Sequence, residues 1–370
     1  MRPAWIAQRM SRIEASGIRK AFDLSKSMTD PINLSIGLPD FDVPEPVKRA
    51  AFDAIAAGHN AYSLTTGVPE LRERIQQRVD AELGHADRRV LITAGTSGGL
   101  LLGICATVDP GDEVILFDPY FVMYNNLVAM AGGVPILIDT YPDFRIPLDR
   151  VAAAITPRTK CVLVNSPNNP TGRVASEAEM AGLARLCRDR GLLLISDEVY
   201  HAFSDQQPVP SPARWNDEVL VVDGFSKTYG MTGWRLGFAH GPAALIQEMA
   251  KLQQFSFICA PTPLQHAVIE ALDHDTQTQN ERYRRTRERL IAGIGDLYEL
   301  ERPTGAFYAF PKVPPRFPDA SAFAAEAVRH NLLIIPGSVF SQRDTHFRIS
   351  YAVDDRTLER GIEVLRRLAV

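Results

Sequence analysis

Short apolar runs alternate with helix-like segments through the middle of the chain. Several of these runs are apolar without interruption, which is typical of strands covered on both faces. Strands that alternate with helices predict βαβ units, and hence a mostly parallel α/β sheet of seven strands sandwiched by helices. The seven predicted strands are Arg89–Thr93, Glu113–Phe117, Pro135–Asp139, Cys161–Asn165, Leu192–Ser196, Val219–Asp223 and Leu236–Ala239.

The clearest helical pattern covers Glu177–Arg190. Ser176 and Glu179 have the spacing of a capping box at its start, and apolar residues then recur at helical intervals. Gly191 follows and predicts the end of the helix.

The two ends of the chain differ from this middle part. The first residues predict an arm that contains a helix, and short strands and helices follow Phe307. We therefore expect an arm and part of a small domain in residues 1–44, a large domain in residues 45–275, and the rest of the small α+β domain in residues 276–370. The small domain is assembled from both chain ends.

Composition and charge narrow the possible functions. The 370 residues are 45% hydrophobic and 23% charged, close to an average soluble protein. Forty basic and 44 acidic residues give a net charge of −4, which argues against general nucleic-acid binding. No apolar run approaches the ~18 residues that a membrane helix needs, and Arg9, Arg12 and Glu14 interrupt any signal-peptide pattern.

The cysteines and histidines carry no recognisable metal or disulfide pattern. The four cysteines lie far apart with no CxxC, which predicts reduced core thiols and a cytoplasmic protein. The eight histidines include no HExxH, so we expect no dedicated metal site.

Polar groups follow four of the predicted strands. They are the glycine-rich turn with Gly95, Thr96 and Ser97, the turn from Ser166 to Gly172, the acidic segment from Asp197 to Tyr200, and Ser226 with Lys227. Ligands of open α/β sheets bind at the carboxyl ends of strands, and a glycine-rich start of a helix favours anions. Each segment alone also suits a plain turn, a capping carboxylate or a surface lysine; together they predict one polar site.

Arg235 adds a phosphate-binding pattern. It lies eight positions after Lys227, so that Ser226 and Arg235 are able to hold one phosphate between a hydroxyl and a guanidinium. No GxxxxGK and no dinucleotide glycine fingerprint is present, so these nucleotide-binding loops are excluded.

This combination resembles the class I/II aminotransferases, which are fold-type I pyridoxal-phosphate enzymes. The spaced Ser-Lys/Arg signature is highly specific, whereas the glycine and proline segments are less so. The matching segments run in family order: Gly37-Leu38-Pro39-Asp40-Phe41, Tyr62 with Gly67 and Leu71-Arg72, Pro110-Gly111-Asp112-Glu113-Val114, Asn168-Asn169-Pro170-Thr171-Gly172, Asp197-Glu198-Val199-Tyr200, Ser226-Lys227-Thr228-Tyr229-Gly230 with Arg235, and Phe347-Arg348-Ile349-Ser350-Tyr351.

The resemblance implies a role for each matched cofactor residue. Lys227 matches the lysine that binds pyridoxal 5′-phosphate covalently and then moves the substrate proton; we expect burial and nearby positive charge to lower its pKa. Asp197 matches the partner of the pyridine nitrogen, and Tyr200 and Asn169 match the donors to the ring oxygen. Phe121 matches the aromatic residue that stacks on the ring, with Tyr120 as the alternative.

The remaining matches concern the phosphate, the substrate and the second subunit. The phosphate would be held by Gly95, Thr96, Ser97, Ser226 and Arg235. Arg348 matches the arginine that binds the substrate carboxylate, and Gly37 matches a backbone contact to the same group. Asn169 also matches a substrate-binding residue. Tyr62 matches a tyrosine that reaches the phosphate of the neighbouring subunit, which implies a homodimer with shared active sites. The resemblance further implies cis bonds at Asp118–Pro119 and Asn169–Pro170.

The implied function is transfer of an amino group from an L-amino acid to a 2-oxo acid by a ping-pong mechanism. A carbon–sulfur lyase or a cyclopropane-forming synthase on the same scaffold is the alternative, since these enzymes share the cofactor residues. The segment from Met231 to Arg235 is more similar to the aminotransferase form. A regulator with an aminotransferase-like body is a third possibility. Such regulators carry a DNA-binding domain ahead of the body, and we do not expect one because only 36 residues precede Gly37. The amino acid itself is not readable from the sequence.

Overall fold

The computed structural model describes residues 5–370, apart from the side chain of Phe22. Residues 1–4 of the predicted arm lie outside the described part. Twelve strands occur in the described residues: β1 (Ile32–Asn33), β2 (Arg88–Thr93), β3 (Glu113–Asp118), β4 (Val134–Asp139), β5 (Thr159–Asn165), β6 (Leu193–Asp197), β7 (Val219–Gly224), β8 (Gly237–Pro242), β9 (Tyr308–Ala309), β10 (Leu332–Leu333), β11 (Ile335–Pro336) and β12 (Phe347–Ser350).

The α-helices frame these strands, and several short 3-10 turns connect them. In chain order the helices are α1 (Gly17–Ser25), α2 (Glu45–Ala56), α3 (Pro69–Leu83), α4 (Gly95–Thr107), α5 (Met123–Ala131), α6 (Leu148–Ala154), α7 (Glu177–Asp189), α8 (Phe225–Thr228), α9 (Ala243–Ser256), α10 (Thr262–Ala271), α11 (Gln277–Ile294), α12 (Ala320–Arg329) and α13 (Asp355–Ala369). No helix of residues 5–370 is both long enough and apolar enough to cross a bilayer.

The seven predicted strands form one sheet in the order β2-β8-β7-β6-β5-β3-β4. The strand β8 runs antiparallel to both of its neighbours, and the other pairs are parallel. The mostly parallel seven-stranded α/β sheet is thus confirmed. Several strand ends differ from the predictions by one to three residues. The largest difference is in β8, which pairs on both edges and runs on to Pro242, where the apolar pattern has stopped.

Alternate residues of each strand point to two separate cores. On β5, Cys161 and Leu163 pack with α4, α5 and α9, whereas Val162 and Val164 pack with α6 and α7. This alternation buries both faces of the sheet, which explains why the strands are apolar without interruption. Only their carboxyl ends are left to meet a ligand.

A further core, separate from the two that cover the large sheet, joins the two ends of the chain. The strand β1 pairs with β10 in parallel, and β11, β12 and β9 form an antiparallel sheet. Their apolar residues pack with those of α11, α12 and α13. Ile32 pairs with Leu332, so segments 300 residues apart in sequence share one small α+β unit.

Local details test three further expectations. The capping box at Ser176 is present, and α7 ends at Asp189 with Arg190 as its C-cap. Cys161 and Cys187 are buried, but Cys105 is exposed, because it lies on the outer side of α4; the expectation of four core thiols was wrong.

One of the two expected cis bonds is absent. Asp118–Pro119 is cis, whereas Asn169–Pro170 is not, and the cis bond of that turn is Ser166–Pro167. The backbone N–H of Asn169 donates to Asn165 Oδ1 at 2.8 Å. This hydrogen bond orients Asn169 without a cis bond of its own.

Candidate active site

A cavity of about 610 Å³ opens at the carboxyl ends of the central strands. Turns after β2, β3, β5, β6 and β7 form its floor, and the small unit closes it with residues of β9 and β12. Its polar lining contains all but two of the residues expected at the site: Gly37, Thr96, Ser97, Phe121, Asn169, Asp197, Tyr200, Ser226, Lys227, Arg235 and Arg348 line it.

One end of the cavity is an anion cradle at the start of α4. Gly95 has a φ of +73°, and a side chain there would place its Cβ 2.6 Å from Arg235 Nη2, so only glycine lets the guanidinium approach. Arg235 Nη2 donates to Ser97 Oγ at 3.4 Å. Thr96 Oγ1 is buried without a hydrogen-bond partner in the described chain, and Ser226 lines the same end. Free helix N–H groups, hydroxyls and a guanidinium are the donor set of a phosphate site.

A buried carboxylate lies at the floor of the cavity. Asp197 is the last residue of β6, and Tyr124 from α5 donates its hydroxyl to Asp197 Oδ2 at 2.7 Å. Burial raises the pKa of Asp197 to about 6, against the hydrogen bond from Tyr124, which lowers it. An ionised carboxylate at this depth is costly without a cationic partner, so Asp197 suits a protonated ring nitrogen.

The Lys227 amine projects from α8 into the cavity. Its Nζ donates to the carbonyl oxygen of Gly37 at 2.7 Å. Burial, followed by the positive charges of Arg348 and Arg235, lowers the pKa of Lys227 to about 8, as expected from the sequence. The cost of deprotonating this amine at neutral pH is therefore smaller than for an exposed lysine.

Arg348 is fully buried on β12 and points into the cavity. Its Nη1 donates to Asn169 Oδ1 at 2.9 Å and its Nη2 to the Ser35 carbonyl at 2.8 Å. The rings of Tyr308 and Phe340 lie 4.6 Å from its guanidinium carbon. Its Nε is buried without a partner in the described residues. A buried guanidinium with a donor still unsatisfied and no carboxylate partner is a binding group for an anionic ligand.

A phenol and an amide complete the floor. The hydroxyls of Tyr200 and Tyr308 lie 2.9 Å apart, and Asn169 Nδ2 lies 3.5 Å from the Tyr200 oxygen. Burial raises the pKa of Tyr200, so its hydroxyl stays protonated and is able to donate.

Two expected residues are placed differently from the rest. Gly95 adjoins Arg235 without itself lining the cavity, and Tyr62 lies outside it with 78% of its surface exposed. Phe121 lines the cavity, whereas Tyr120 lines a separate small one. The stacking role of Phe121 stays a prediction; of the two aromatic residues, only Phe121 lines this cavity.

Sequence reasoning missed three groups of the site. They are the hydroxyls of Tyr124 and Tyr308 and the carbonyl of Ser35. Tyr124 follows Phe121 by one helical turn, which was the available signal for a second residue facing the same cavity. No sequence pattern marks Tyr308 or a backbone carbonyl as part of the site.

The comparisons with known proteins agree with this geometry. The family model for aminotransferase class I and II matches residues 29–365. The chain belongs to the class I and II aminotransferases. It is 35% identical over 98% of its length to a probable aspartate aminotransferase of Methanocaldococcus jannaschii, 99% of which is covered. It is 37% identical to the aspartate/prephenate aminotransferase of Thermus thermophilus, with 94% of each chain covered.

The structural comparison points to the same family. The aspartate aminotransferase of Thermus thermophilus with maleate superposes on this aminotransferase with a TM-score of 0.94, at 36% identity over all of both chains. These relatives are aminotransferases, which does not favour the lyase alternative.

The cofactor of this aminotransferase is pyridoxal 5′-phosphate. The residues of the cavity fit this cofactor. The unpartnered Thr96 Oγ1 lies in a cradle of anion donors, and the buried Asp197 carboxylate suits a protonated ring nitrogen at the floor. The Lys227 amine lines the same cavity and has a lowered pKa, as covalent attachment requires.

Proposed function

We propose that the cavity residues carry out transamination of an L-amino acid by a ping-pong mechanism. The observation that best supports this proposal is that Lys227, Asp197 and Arg348 line one cavity that adjoins the anion cradle. When bound, pyridoxal 5′-phosphate supplies the electron sink that makes the Cα–H bond of an amino acid acidic.

Lys227 moves the proton in this proposal. Its amine, with the pKa lowered to about 8, would take the proton from the substrate Cα and later deliver it to a carbon of the cofactor. Asp197 would hold a protonated ring nitrogen, and Tyr124 keeps that carboxylate oriented through its hydroxyl. Tyr200 and Asn169 would donate to the ring oxygen. The protein thus fixes charges and distances, and the cofactor supplies the chemistry.

Arg348 binds the substrate α-carboxylate. The aromatic rings beside it and the fixed hydrogen bonds to Asn169 and Ser35 hold the guanidinium in one orientation before substrate arrives. A planar guanidinium that is already oriented suits bidentate binding of a carboxylate.

We infer that the substrate side chain is apolar or aromatic. The apolar lining of the cavity includes Ile13, Ile18, Ile36, Leu38, Val122 and Met123. An acidic side chain is the second candidate, because Arg19 lines the same cavity and several relatives are named for aspartate. Arg19 is exposed and lies 3.4 Å from Asp23, so its charge is already partly compensated.

A half-reaction assay tests both the transamination mechanism and the preference for an apolar or aromatic side chain. Each amino acid alone is mixed with the holoenzyme, and conversion of the cofactor is followed by its visible absorbance. We expect phenylalanine or leucine to react faster than aspartate, without release of ammonia or thiol. Lys227→Ala should abolish the visible absorbance and the reaction, whereas Lys251→Ala, which removes an exposed lysine of α9, should change neither. An active Lys227→Ala variant would contradict the mechanism.

We further propose a homodimer with shared active sites. Tyr62 and Leu64 are 78% and 57% exposed, and Phe255 at the end of α9 is 88% exposed. The Gln253 side chain donates to the Thr65 carbonyl and so ties this loop to α9. A joined apolar surface of this kind favours a partner over water, and a second copy would bring its Tyr62 to the anion cradle.

Mixed dimers test the shared site. Subunits with Tyr62→Phe are exchanged with subunits that carry Lys227→Ala. If Tyr62 serves the neighbouring subunit, each hybrid has one site with both defects and one with neither, and the activity lost in Lys227→Ala should partly return. Confirmed exchange without recovery would refute the proposal. The domain division at residues 45 and 275 and a cytoplasmic location also stay proposals; the second rests on the four free thiols.

A further inference from the structure

An ion pair that the proposed mechanism does not use lies behind the Lys227 turn. His201 Nδ1 is 2.9 Å from Asp223 Oδ2 and 3.2 Å from the Glu198 carbonyl oxygen. Both neighbours of Nδ1 are acceptors, so this nitrogen carries a proton. Burial, the largest single influence, lowers the pKa of His201, but the charge of Asp223, the hydrogen bond to it, and the charge and carbonyl of Glu198 together raise the pKa to about 9. His201 is therefore an imidazolium at neutral pH.

Asp223 connects this pair to the cofactor-binding turns. Its Oδ1 accepts the N–H of Gly224 at 2.6 Å, and the helix α8 with Ser226 and Lys227 begins at the next residue. A Cβ on Gly224 would collide with Thr96 Oγ1, so the backbone here packs directly on the anion cradle. Asp223 thus contacts the residue that joins β7 to α8 and that packs against the anion cradle.

His201 belongs to the other cofactor-binding segment. It follows Tyr200, and the backbone N–H of Glu198 donates to the Val222 carbonyl, so the ends of β6 and β7 lie side by side. The ion pair joins the side chains that extend beyond these paired ends. It links the segment of Asp197 and Tyr200 to the turn of Lys227 across the sheet.

The same pair balances charge under the site. Asp197, Glu198 and Asp223 place three carboxyl groups at two adjacent strand ends. Ser196 and Ser211 donate to the Glu198 side chain, and burial raises its pKa to about 7. The Asp223 charge by itself also raises the pKa of Asp197. A cation at His201 compensates the Asp223 charge.

We propose that His201 is a positioning residue for the cofactor site: its imidazolium holds Asp223, aligns the Lys227 turn with Asp197, and compensates the Asp223 charge. This inference rests on the proposed function of Lys227 and Asp197. The titratable and charged groups that face the pair come from every element around it: Glu198 after β6, Arg78 and Glu82 of α3, Tyr229 after α8, His240 of β8, and Arg88 of β2 beside Glu198.

The test is a pH titration of the visible absorbance of the holoenzyme. His201→Gln leaves a neutral side chain, so the pair goes from zero net charge to −1. An uncompensated negative charge favours the protonated state of the covalent linkage between Lys227 and the cofactor. We therefore expect the titration midpoint to rise by about 0.5–1 pH unit. In His201→Gln with Asp223→Asn both charges are gone, and the midpoint should return to within about 0.3 unit of the wild type.

A matched control and a second readout separate the outcomes. His330→Gln removes an exposed histidine that lies 3.3 Å from Glu326, and it should leave the midpoint unchanged. A His201→Gln midpoint equal to the wild type overturns the proposal, as does a double variant that stays shifted. In the protein without cofactor, NMR should show His201 protonated up to about pH 9, and titration below pH 7 overturns the proposal even if a variant fails to fold. Failure of the proposed function appears separately, as a wild-type enzyme whose cofactor no amino acid converts.

Discussion

Tyr124→Phe isolates the hydrogen bond that sets the ionisation of Asp197. The substitution removes one oxygen from a buried ring and leaves its packing in place. The lost bond runs from the hydroxyl to Asp197 Oδ2 at 2.7 Å. With an ionised acceptor such a bond is worth about 1.5–3 kcal/mol, and with a neutral acceptor about 0.5–1.5 kcal/mol.

The cost of Tyr124→Phe in the protein without cofactor should depend on pH. Asp197 has a pKa raised to about 6 in the folded state, against an ordinary 3.8. Protonation of Asp197 therefore stabilises the fold below about pH 4, and this stabilisation is lost as the pH rises through 6. Since the Tyr124 hydroxyl lowers that pKa, the variant has a still higher pKa and loses more stability over the same rise. We expect a loss of about 1.5–3 kcal/mol at pH 8 and about 0.5–1.5 kcal/mol at pH 5.

Urea unfolding of the cofactor-free protein at both pH values measures this difference. Tyr298→Phe is the matched control, because the Tyr298 hydroxyl donates to the Leu365 carbonyl at 2.8 Å, an acceptor that does not titrate. Its cost should be the same at pH 5 and pH 8. An equal loss at both pH values for Tyr124→Phe, or a larger loss at pH 5, would refute the assigned role of the hydroxyl.

Three further substitutions probe the site. Asp197→Ala should keep the fold but slow the half-reaction by several orders of magnitude, measured by single-turnover absorbance, because no carboxylate then holds the ring nitrogen; near wild-type rates would remove Asp197 from that role. Arg348→Ala should raise KM for every amino acid, by a factor that corresponds to about 2–5 kcal/mol; a defect for one substrate alone would mean that Arg348 reads a side chain. Gly37→Ala should lower the affinity for amino acids, because its Cβ would collide with the Tyr308 hydroxyl and displace the carbonyl that accepts from Lys227; unchanged binding would exclude this contact.

The sequence brought most of the expected site residues to one place but left the contacts among them open. Apart from Gly95 and Tyr62, the expected residues line one cavity, because the carboxyl ends of parallel strands meet at one edge of a sheet. The environment of Arg348 was not predictable, since its partner Ser35 is 313 residues away and contributes only a carbonyl. Likewise, Tyr124 and Asp197 are 73 residues apart, and nothing in their local sequence pairs them.

The sequence by itself determined the seven strands of the large sheet, helix α7 and the α/β class. Uninterrupted apolar runs determined strands that are buried on both faces, and the Ser176 capping box determined where α7 begins, because both depend on neighbours along the chain. The order of the motifs also determined the family. Only the tertiary structure decided that Tyr124 reaches Asp197 and that His201 pairs with Asp223 behind Lys227. Burial and charge at these atoms arise only when segments distant in sequence come together. No local sequence pattern encodes which of these side chains will lie within hydrogen-bond distance of each other.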